Sequence, residues 1–204
     1  NPTDGVIADI VKSLHCETKK RHALTEEQQE SFVNFVREHK VYKRWLSMFT
    51  VMLGTGCRIG EVLGLRWEDC DFQNNMIEIN HTLTYCSDEN TGKYAFHIST
   101  PKTEAGIREI PMFKEVKKAL LAEKMRQMRS GIRQPVIDGY TGFIFLSRRG
   151  SVFSRTVVND IIEYIVRAYN KKETEQSREQ NREPVPLPHF SAHNLRHTFC
   201  TRLC

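Results

Sequence analysis

The chain has 204 residues, of which 39% are hydrophobic and 27% are charged, and its formal net charge is +5. This length allows one domain with a substantial core, and no apolar run approaches the roughly 20 residues of a membrane span. No signal peptide is recognisable, so we expect a cytoplasmic protein. The positive charge mildly favours a polyanionic partner, and an uncommitted basic surface explains it about equally well.

The six cysteines are scattered and include no CxxC pair. They are typical of reduced thiols that act as small apolar side chains in a cytosolic protein. His193, His197, Cys200 and Cys204 fall at helical spacing, but one straight helix usually offers only two ligands to a metal, and no second ligand pair is present. We therefore predict no metal site.

The N-terminal part of the chain predicts a linker followed by two helices. Residues 1–22 join an apolar patch to a basic run, which is typical of a linker entering a domain. Thr25 with Gln28 predicts a capping box for a helix that ends at about His39. A second, more apolar helix is predicted from about Lys43 to Leu53.

A short helix from Cys57 to Leu65 carries an arginine among small and apolar residues. A buried guanidinium needs a partner, and Glu61, three residues after Arg58, can supply it. Two interpretations remain open: a structural ion pair, or an arginine that Glu61 holds rigid so that it can bind an external anion.

Between about Met76 and Met112 the apolar residues alternate with polar ones, which predicts three antiparallel strands in a small meander. Lys102 then lies at the exposed end of a hairpin. A lone exposed lysine is usually only solvated, and its sequence position alone gives it no role.

The pattern then returns to helices. One helix is predicted from Phe113 to Ser130, with its methionines in the core, and a short strand is predicted from Gly142 to Ser147. Ser154 is predicted to cap a further helix. Lys171 to Pro188 is polar, has no apolar periodicity, and predicts a flexible connection.

Three arginines, Arg148, Arg149 and Arg155, cluster where the predicted strand meets the helix that Ser154 caps. They suit phosphate contacts and an ordinary solvated turn equally well. No glycine-rich phosphate loop with a following Lys-Ser/Thr is present, so the sequence gives no support to nucleotide binding.

The last segment begins with Ser191, which can cap a helix. His193 and Arg196 are three residues apart and share one helical face, while Leu195 and Phe199 can bury the opposite side. This pattern fits an anion site near a helix N-terminus and an ordinary amphipathic helix about equally.

Three segments occur in a specific order: Thr55–Glu61, then Thr100–Thr103 followed by Arg108–Pro111, then His193–Thr198. Each one alone is weakly specific, but the ordered set is strongly specific. It resembles the catalytic domain of the tyrosine recombinases, the phage-integrase family, and is most similar to integrases of conjugative transposons. The resemblance extends from Ala23 to Phe199.

The resemblance implies a site-specific recombinase that integrates or excises a mobile element in double-stranded DNA through a 3′-phosphotyrosine, without metal, nucleotide or cofactor. It assigns Arg58 and Arg196 to the non-bridging oxygens of the scissile phosphate. Lys102 would protonate the departing 5′ oxygen, and His193 would hydrogen-bond the phosphoryl group and assist proton transfer. Glu61 would support Arg58. We expect further DNA contacts from Thr103, Arg148, Arg149 and Arg155.

The sequence departs from the family pattern at the nucleophile, because every tyrosine precedes the His193–Thr198 segment. We assign the nucleophile to none of them. We expect residues 1–22 to be a linker from a missing DNA-binding domain, and residues 23–204 to be a catalytic domain truncated before the nucleophile region. Such a fragment would bind DNA without cutting it. Two to four copies are expected on DNA.

The expected fold is α+β and mainly helical, with a small three-stranded antiparallel sheet and a phosphate pocket between sheet and helices. One alternative is a non-catalytic module that binds duplex DNA with a recombinase-like fold. A third interpretation is a small-molecule or protein-binding domain whose arginines are structural.

Overall fold

The computed structural model describes residues 23–88, 92–101 and 106–203. The linker prediction for residues 1–22 and the roles expected of Lys102 and Thr103 lie outside the described residues. In the described ranges, three helices are followed by five short strands and then by three further helices.

The first helix, α1, spans Glu26–Glu38 and begins with the predicted capping box. The backbone N–H of Gln28 donates to the Thr25 hydroxyl at 3.2 Å, and the backbone N–H of Thr25 donates to the Gln28 side chain at 3.0 Å. Phe32 and Val36 are fully buried on its inner face. Local sequence therefore determines where α1 starts and which side it buries.

The second helix, α2, spans Leu46–Thr55 and is preceded by a 3₁₀ turn at Tyr42–Trp45. It ends at Gly56, whose φ of 60° lies in the left-handed region. A Cβ at Gly56 would overlap the ring of Phe199 from the last helix. Glycine is required here both by its backbone conformation and by this close approach.

A short helix, α3, follows at Ile59–Gly64, and a 3₁₀ turn at Trp67–Asp69 leads into the strands. Val62 and Leu63 of α3 are buried. Arg58 is the N-cap residue of α3 and lies two residues after the Gly56 turn.

The strands form two separate antiparallel sheets. One has three strands in the order β1-β2-β5, and the other is a hairpin of β3 and β4. The strands are β1 Cys70–Asp71, β2 Met76–Ile79, β3 Thr82–Ser87, β4 Tyr94–Ser99 and β5 Arg108–Pro111.

The predicted α+β class and three-stranded antiparallel sheet are confirmed, but the meander is wrong. Strand β2 pairs directly with β5, with Ile77 opposite Ile110. The intervening β3 and β4 pair only with each other in the described sheets, with Tyr85 opposite Phe96. Alternation identifies a strand but carries no information about which distant strand it pairs with.

Helix α4 spans Lys114–Ser130 and ends at Gly131 in the left-handed conformation, close to the prediction. Its methionines are not in the core, because Met125 is 50% exposed and Met128 is 73% exposed. The buried face presents Gln127 instead, whose Nε2 donates to the carbonyls of Phe143 and Ile144 at 3.0 and 2.5 Å. A polar side chain faces the core here because it satisfies backbone carbonyls of a buried loop.

That buried loop is residues 142–147, which were predicted to form a strand. The segment makes only isolated bridges, from Phe143 to Arg66 and from Leu146 to Val152. Its four apolar side chains, Phe143, Ile144, Phe145 and Leu146, are all buried. A short apolar run indicates burial, but it does not distinguish a strand from a buried loop.

Helix α5 spans Arg155–Glu179 and is capped by Ser154, whose hydroxyl accepts from the Val157 N–H at 3.3 Å. It continues nine residues into the segment from Lys171 to Pro188, for which a flexible connection was predicted, so residues 171–179 are helical. The buried Glu173 explains part of this difference. Its carboxylate accepts from Arg182 at 2.5 and 3.1 Å and ties the end of α5 to the following chain.

The last helix, α6, spans Ala192–Leu203 and is hydrogen-bonded to the first described residues of the chain. The Leu24 N–H donates to the hydroxyl of the buried Thr198 at 2.9 Å, across 174 residues of chain. Leu195 is fully buried, as predicted. In the part of the chain that the structure describes, no helix is both long and apolar enough to cross a membrane.

Candidate active site

Arg58 lies at the N-terminus of α3 and is oriented by Glu61 from the first turn of the same helix. Its backbone N–H donates to Glu61 Oε2 at 2.8 Å, and its Nη1 donates to Oε1 at 3.1 Å. The Arg58 side chain is 66% exposed, whereas the Glu61 side chain is 8% exposed. The buried member of the predicted pair is therefore the carboxylate, and most of the guanidinium surface faces solvent.

Arg108 is a second partner of Glu61, which the spacing of residues in the sequence does not predict. Arg108 of β5 donates from Nη1 to Oε1 at 3.1 Å and from Nη2 to Oε2 at 2.7 Å, across 47 residues of chain. Burial acts to raise the pKa of Glu61, but the hydrogen bonds from Arg108 and Arg58 outweigh it, and the pKa is lowered. The carboxylate is thus ionised between two guanidinium groups, and a bidentate pair fixes its orientation.

Helix α6 brings in the other predicted residues. Ser191 directly precedes α6, and its hydroxyl and its backbone N–H donate to Asn194 Oδ1 at 2.9 and 3.0 Å. His193 is exposed and Arg196 is half-buried. Arg196 Nη1 donates to the Gly56 carbonyl, at the turn just before Arg58.

Arg58, His193 and Arg196 line one cavity of about 430 Å³. The α5 residue Arg155 lines the same cavity. Ile59, Leu83 and Phe153 contribute apolar surface to it. Three arginines and a histidine from distant parts of the chain therefore converge on one open pocket that can accept an anion.

The remaining predicted arginines lie to one side of this pocket. Arg148 and Arg149 are exposed on the turn after the buried loop 142–147, and neither lines the cavity. Lys102 and Thr103 follow β4, which ends at Ser99. The structure thus brings together Arg58, His193, Arg196 and Arg155 of the predicted set.

The β3–β4 hairpin, which leads toward Lys102, is attached to the loop between α4 and α5. The backbone N–H of Ile98 in β4 donates to Asp138 Oδ2 at 2.8 Å. The ring of His97 lies beside the same carboxylate, with Nδ1 3.5 Å from Oδ2. A side chain from another part of the chain therefore satisfies a backbone donor of β4.

No group of three or more His, Cys, Asp or Glu side chains that could hold a metal ion is present in residues 23–88, 92–101 and 106–203. The described cysteines Cys57, Cys70, Cys86 and Cys200 are free thiols. Burial raises the pKa of Cys70 to about 12, so this thiol is protonated and acts as a small apolar side chain.

Similarity to known proteins agrees with this geometry. Residues 22–204 match the model of the phage integrase family. The chain is 35% identical over 201 residues to the transposase from transposon Tn916 of Enterococcus faecalis, covering 98% of this chain and 45% of the transposase. It is also 28% identical over 166 residues to a XerC-like tyrosine recombinase of Caldanaerobacter subterraneus, covering 78% of this chain and 38% of that protein.

A solved structure of the Tn1549 transposon integrase, in complex with transposon right end DNA, has the same fold. It superposes with a TM-score of 0.80 at 34% identity, covering all of this chain and 58% of that one. The chain thus spans about half the length of the relatives it matches. The family match covers about nine tenths of the chain and includes the segments that carry Arg58, His193 and Arg196. This chain belongs to the phage integrase family.

Proposed function

We propose that this chain is the phosphate-binding part of a tyrosine recombinase that cuts and rejoins double-stranded DNA to integrate or excise a mobile element. The observation that carries the proposal is the convergence of Arg58, His193 and Arg196 on one open pocket. The integrase of Tn1549, with the same fold, has been solved bound to transposon DNA. We further propose that it acts in the cytoplasm.

Arg58 and Arg196 would each donate to the non-bridging oxygens of the scissile phosphate. In the transition state negative charge accumulates on these oxygens, so two fixed guanidinium groups stabilise it more than they stabilise the ground state. Glu61 contributes indirectly, by holding Arg58 at a fixed orientation while leaving its outer edge open. A metal ion is unnecessary for this charge neutralisation.

His193 and Lys102 would handle protons. A tyrosine hydroxyl attacks phosphorus, and the 5′ oxygen of the next nucleotide leaves with a proton from Lys102. This forms a 3′-phosphotyrosine that keeps the energy of the broken phosphodiester bond, so rejoining needs no nucleotide. His193 would hydrogen-bond the phosphoryl group and assist proton transfer near neutral pH. We assign the nucleophile to no tyrosine of this chain.

Recombination exchanges strands between two duplexes, and each duplex presents its own scissile phosphates. One pocket can hold one phosphate at a time, so strand exchange requires several copies. We therefore propose that two to four copies assemble on DNA. Arg148, Arg149, Arg155 and Thr103 would contact the backbone outside the scissile phosphate.

The proposal is tested with nicked duplexes that carry candidate recombination sites, incubated without metal or nucleotide. This chain is compared with a version extended beyond Cys204 by its own coding sequence. We expect a covalent protein–DNA band on denaturing gels with the extended version only. Duplex binding without a band from either version would instead favour a non-catalytic DNA-binding module.

In the extended version, Arg58→Ala should reduce cleavage by about 10²–10³-fold, the loss typical of removing one transition-state donor. Duplex binding should change little, since many other contacts hold the backbone. The substitution is structurally mild because Arg58 is 66% exposed and Glu61 keeps its bonds to Arg108. Equal losses of binding and cleavage would assign Arg58 to DNA affinity alone.

A further inference from the structure

A second cationic cluster lies beside the proposed active site, around Arg44 in the 3₁₀ turn before α2. The Arg44 guanidinium lies over the ring of Trp45, 5.4 Å from its centroid, and the side chain is half-buried. Arg126 of α4 and Arg148 are its charged neighbours, together with one carboxylate, Glu123. The charges that act on Arg44 are therefore predominantly positive, and Arg126 and Glu123 line the same small cavity as Arg44.

The carboxylate of Glu123 is already paired with Arg126. Glu123 is buried and accepts from Arg126 through Nε at 3.0 Å and through Nη2 at 2.5 Å. Arg126 Nη2 also donates to the Leu146 carbonyl at 3.2 Å. Among the described residues, Arg44 itself has no hydrogen-bond or ion-pair partner.

The pKa of Arg44 is lowered, as expected for a positive charge that neighbouring carboxylates do not fully neutralise. Burial lowers its pKa, and the neighbouring charges of Arg126 and Arg148 lower it further, against the opposing effect of Glu123. Arginine remains protonated despite this shift. An external anion placed against Arg44 would relieve the repulsion between the three guanidinium groups.

The shape of the site restricts which anion can bind. Arg44, Glu123, Arg126 and Phe153 line a cavity of about 10 Å³, which has room for about one water molecule. A base, a sugar or a small metabolite cannot enter it. A ligand must instead present an anionic oxygen at the cavity mouth, as the backbone of a nucleic acid does.

The position of the cluster identifies the source of that oxygen. Phe153 lines both this small cavity and the pocket that contains Arg58 and Arg196, so the two sites are adjacent. We propose that Arg44, with Arg126 and Arg148, binds a second backbone phosphate of the duplex whose scissile phosphate occupies that pocket. This inference rests on the proposed function.

The test measures duplex affinity of the extended protein as a function of salt concentration. Arg44→Gln should weaken binding to all duplexes alike and reduce the slope of log affinity against log salt by about one, because one fewer phosphate is neutralised. Arg37→Gln is the matched control. It removes one charge from the groove between α1, α2 and α4, which shares no lining residue with the Arg44 cavity.

Arg44→Lys keeps the charge and should keep the wild-type slope, which separates phosphate binding from the packing of Arg44 over Trp45. Thermal unfolding of each variant reports whether the fold is retained. An unchanged slope for folded Arg44→Gln, or an equal slope loss for Arg44→Lys, overturns this inference and leaves the proposed function intact. Absence of duplex binding by the wild type overturns both.

Discussion

Glu61 orients Arg58 in the candidate active site, although its own negative charge would repel a phosphate. Its carboxylate is 8% exposed and receives hydrogen bonds from Arg58 on one side and Arg108 on the other. A buried carboxylate with two guanidinium partners has one favourable orientation. Because Arg58 is held along one edge only, the orientation of its free donors depends on Glu61.

Glu61→Gln in the extended version should reduce the cleavage rate by about 10²-fold, the loss expected when a donor is misplaced by about 1 Å. Duplex affinity should be nearly unchanged, because Arg58 keeps its charge. Single-turnover formation of the covalent complex measures the rate, and salt titrations measure affinity. Glu68→Gln is the matched control, since its side chain is 67% exposed and pairs with Arg66.

Arg108 should act through Glu61 and not directly on DNA. Arg108→Met should therefore reduce cleavage, and combining it with Glu61→Gln should add little to the larger single effect. If the two losses instead multiply, Arg108 contacts the substrate itself. Thermal unfolding of all three variants identifies any loss that reflects a weakened fold.

At the scale of residues, the sequence predicted the contact between residues that are close together in the chain. Arg58 and Glu61 are three residues apart, so their pairing follows from helical geometry. Arg108 lies 47 residues from Glu61, and only the pairing of β2 with β5 brings it near. No local spacing signals such a contact, although Arg108 belongs to a segment that the family resemblance had already marked.

At the scale of elements, the β3–β4 hairpin is the part of the described chain that leads to Lys102, the proposed general acid. Lys102 follows Ile98 by four residues. The backbone N–H of Ile98 is satisfied by Asp138, which adopts a left-handed φ of 49° in a loop distant in sequence. We propose that this bond holds the end of β4, from which the chain continues to Lys102.

Asp138→Gly should slow cleavage of an ordinary duplex while sparing one with a 5′-thiol leaving group, which needs little protonation. Glycine accepts the left-handed conformation without strain, so the substitution removes only the carboxylate. Asp138→Asn is the matched control, because asparagine also tolerates this conformation and keeps an acceptor. Equal slowing on both substrates would mean that Asp138 does not position the acid.

The elements themselves were predictable to different degrees, for physical reasons. The capping box of α1 and the Gly131 stop of α4 are local signals, and both are present. The loop 142–147 and the pairing of the strands depend on contacts made by distant residues. Gln127 supplies the bonds that let residues 142–147 remain a loop inside the core.

At the scale of the whole molecule, the site exists only if α6 is placed correctly against α2 and α3. Arg58 comes from α3, while His193 and Arg196 come from the last helix. Between α5 and α6 the chain is attached by Glu173, which accepts from Arg182 and from the Val185 N–H at 3.0 Å. Together with the two hydrogen bonds between Asn170 and Leu187, these bonds hold the chain that leads to α6.

Hydrogen bonding by Arg182 and Val185 lowers the pKa of Glu173 to about 2. An unfolded glutamate has a pKa of about 4.3, so the folded state is stabilised above about pH 4.3, and this contribution is lost as the pH falls toward 2. Glu173→Gln should therefore lower the unfolding temperature at neutral pH, and the difference from the wild type should shrink in acid.

Thermal unfolding of this chain across pH 2 to 7 measures the difference, with Glu175→Gln as the matched control on the exposed side of the same helix. Subtracting the two curves removes the acid titration of all other carboxylates, including Glu61. A deficit for Glu173→Gln that stays constant with pH would assign the effect to altered packing. A deficit that disappears between about pH 4.3 and 2 assigns it to the ionised carboxylate of Glu173, which holds the chain between α5 and α6.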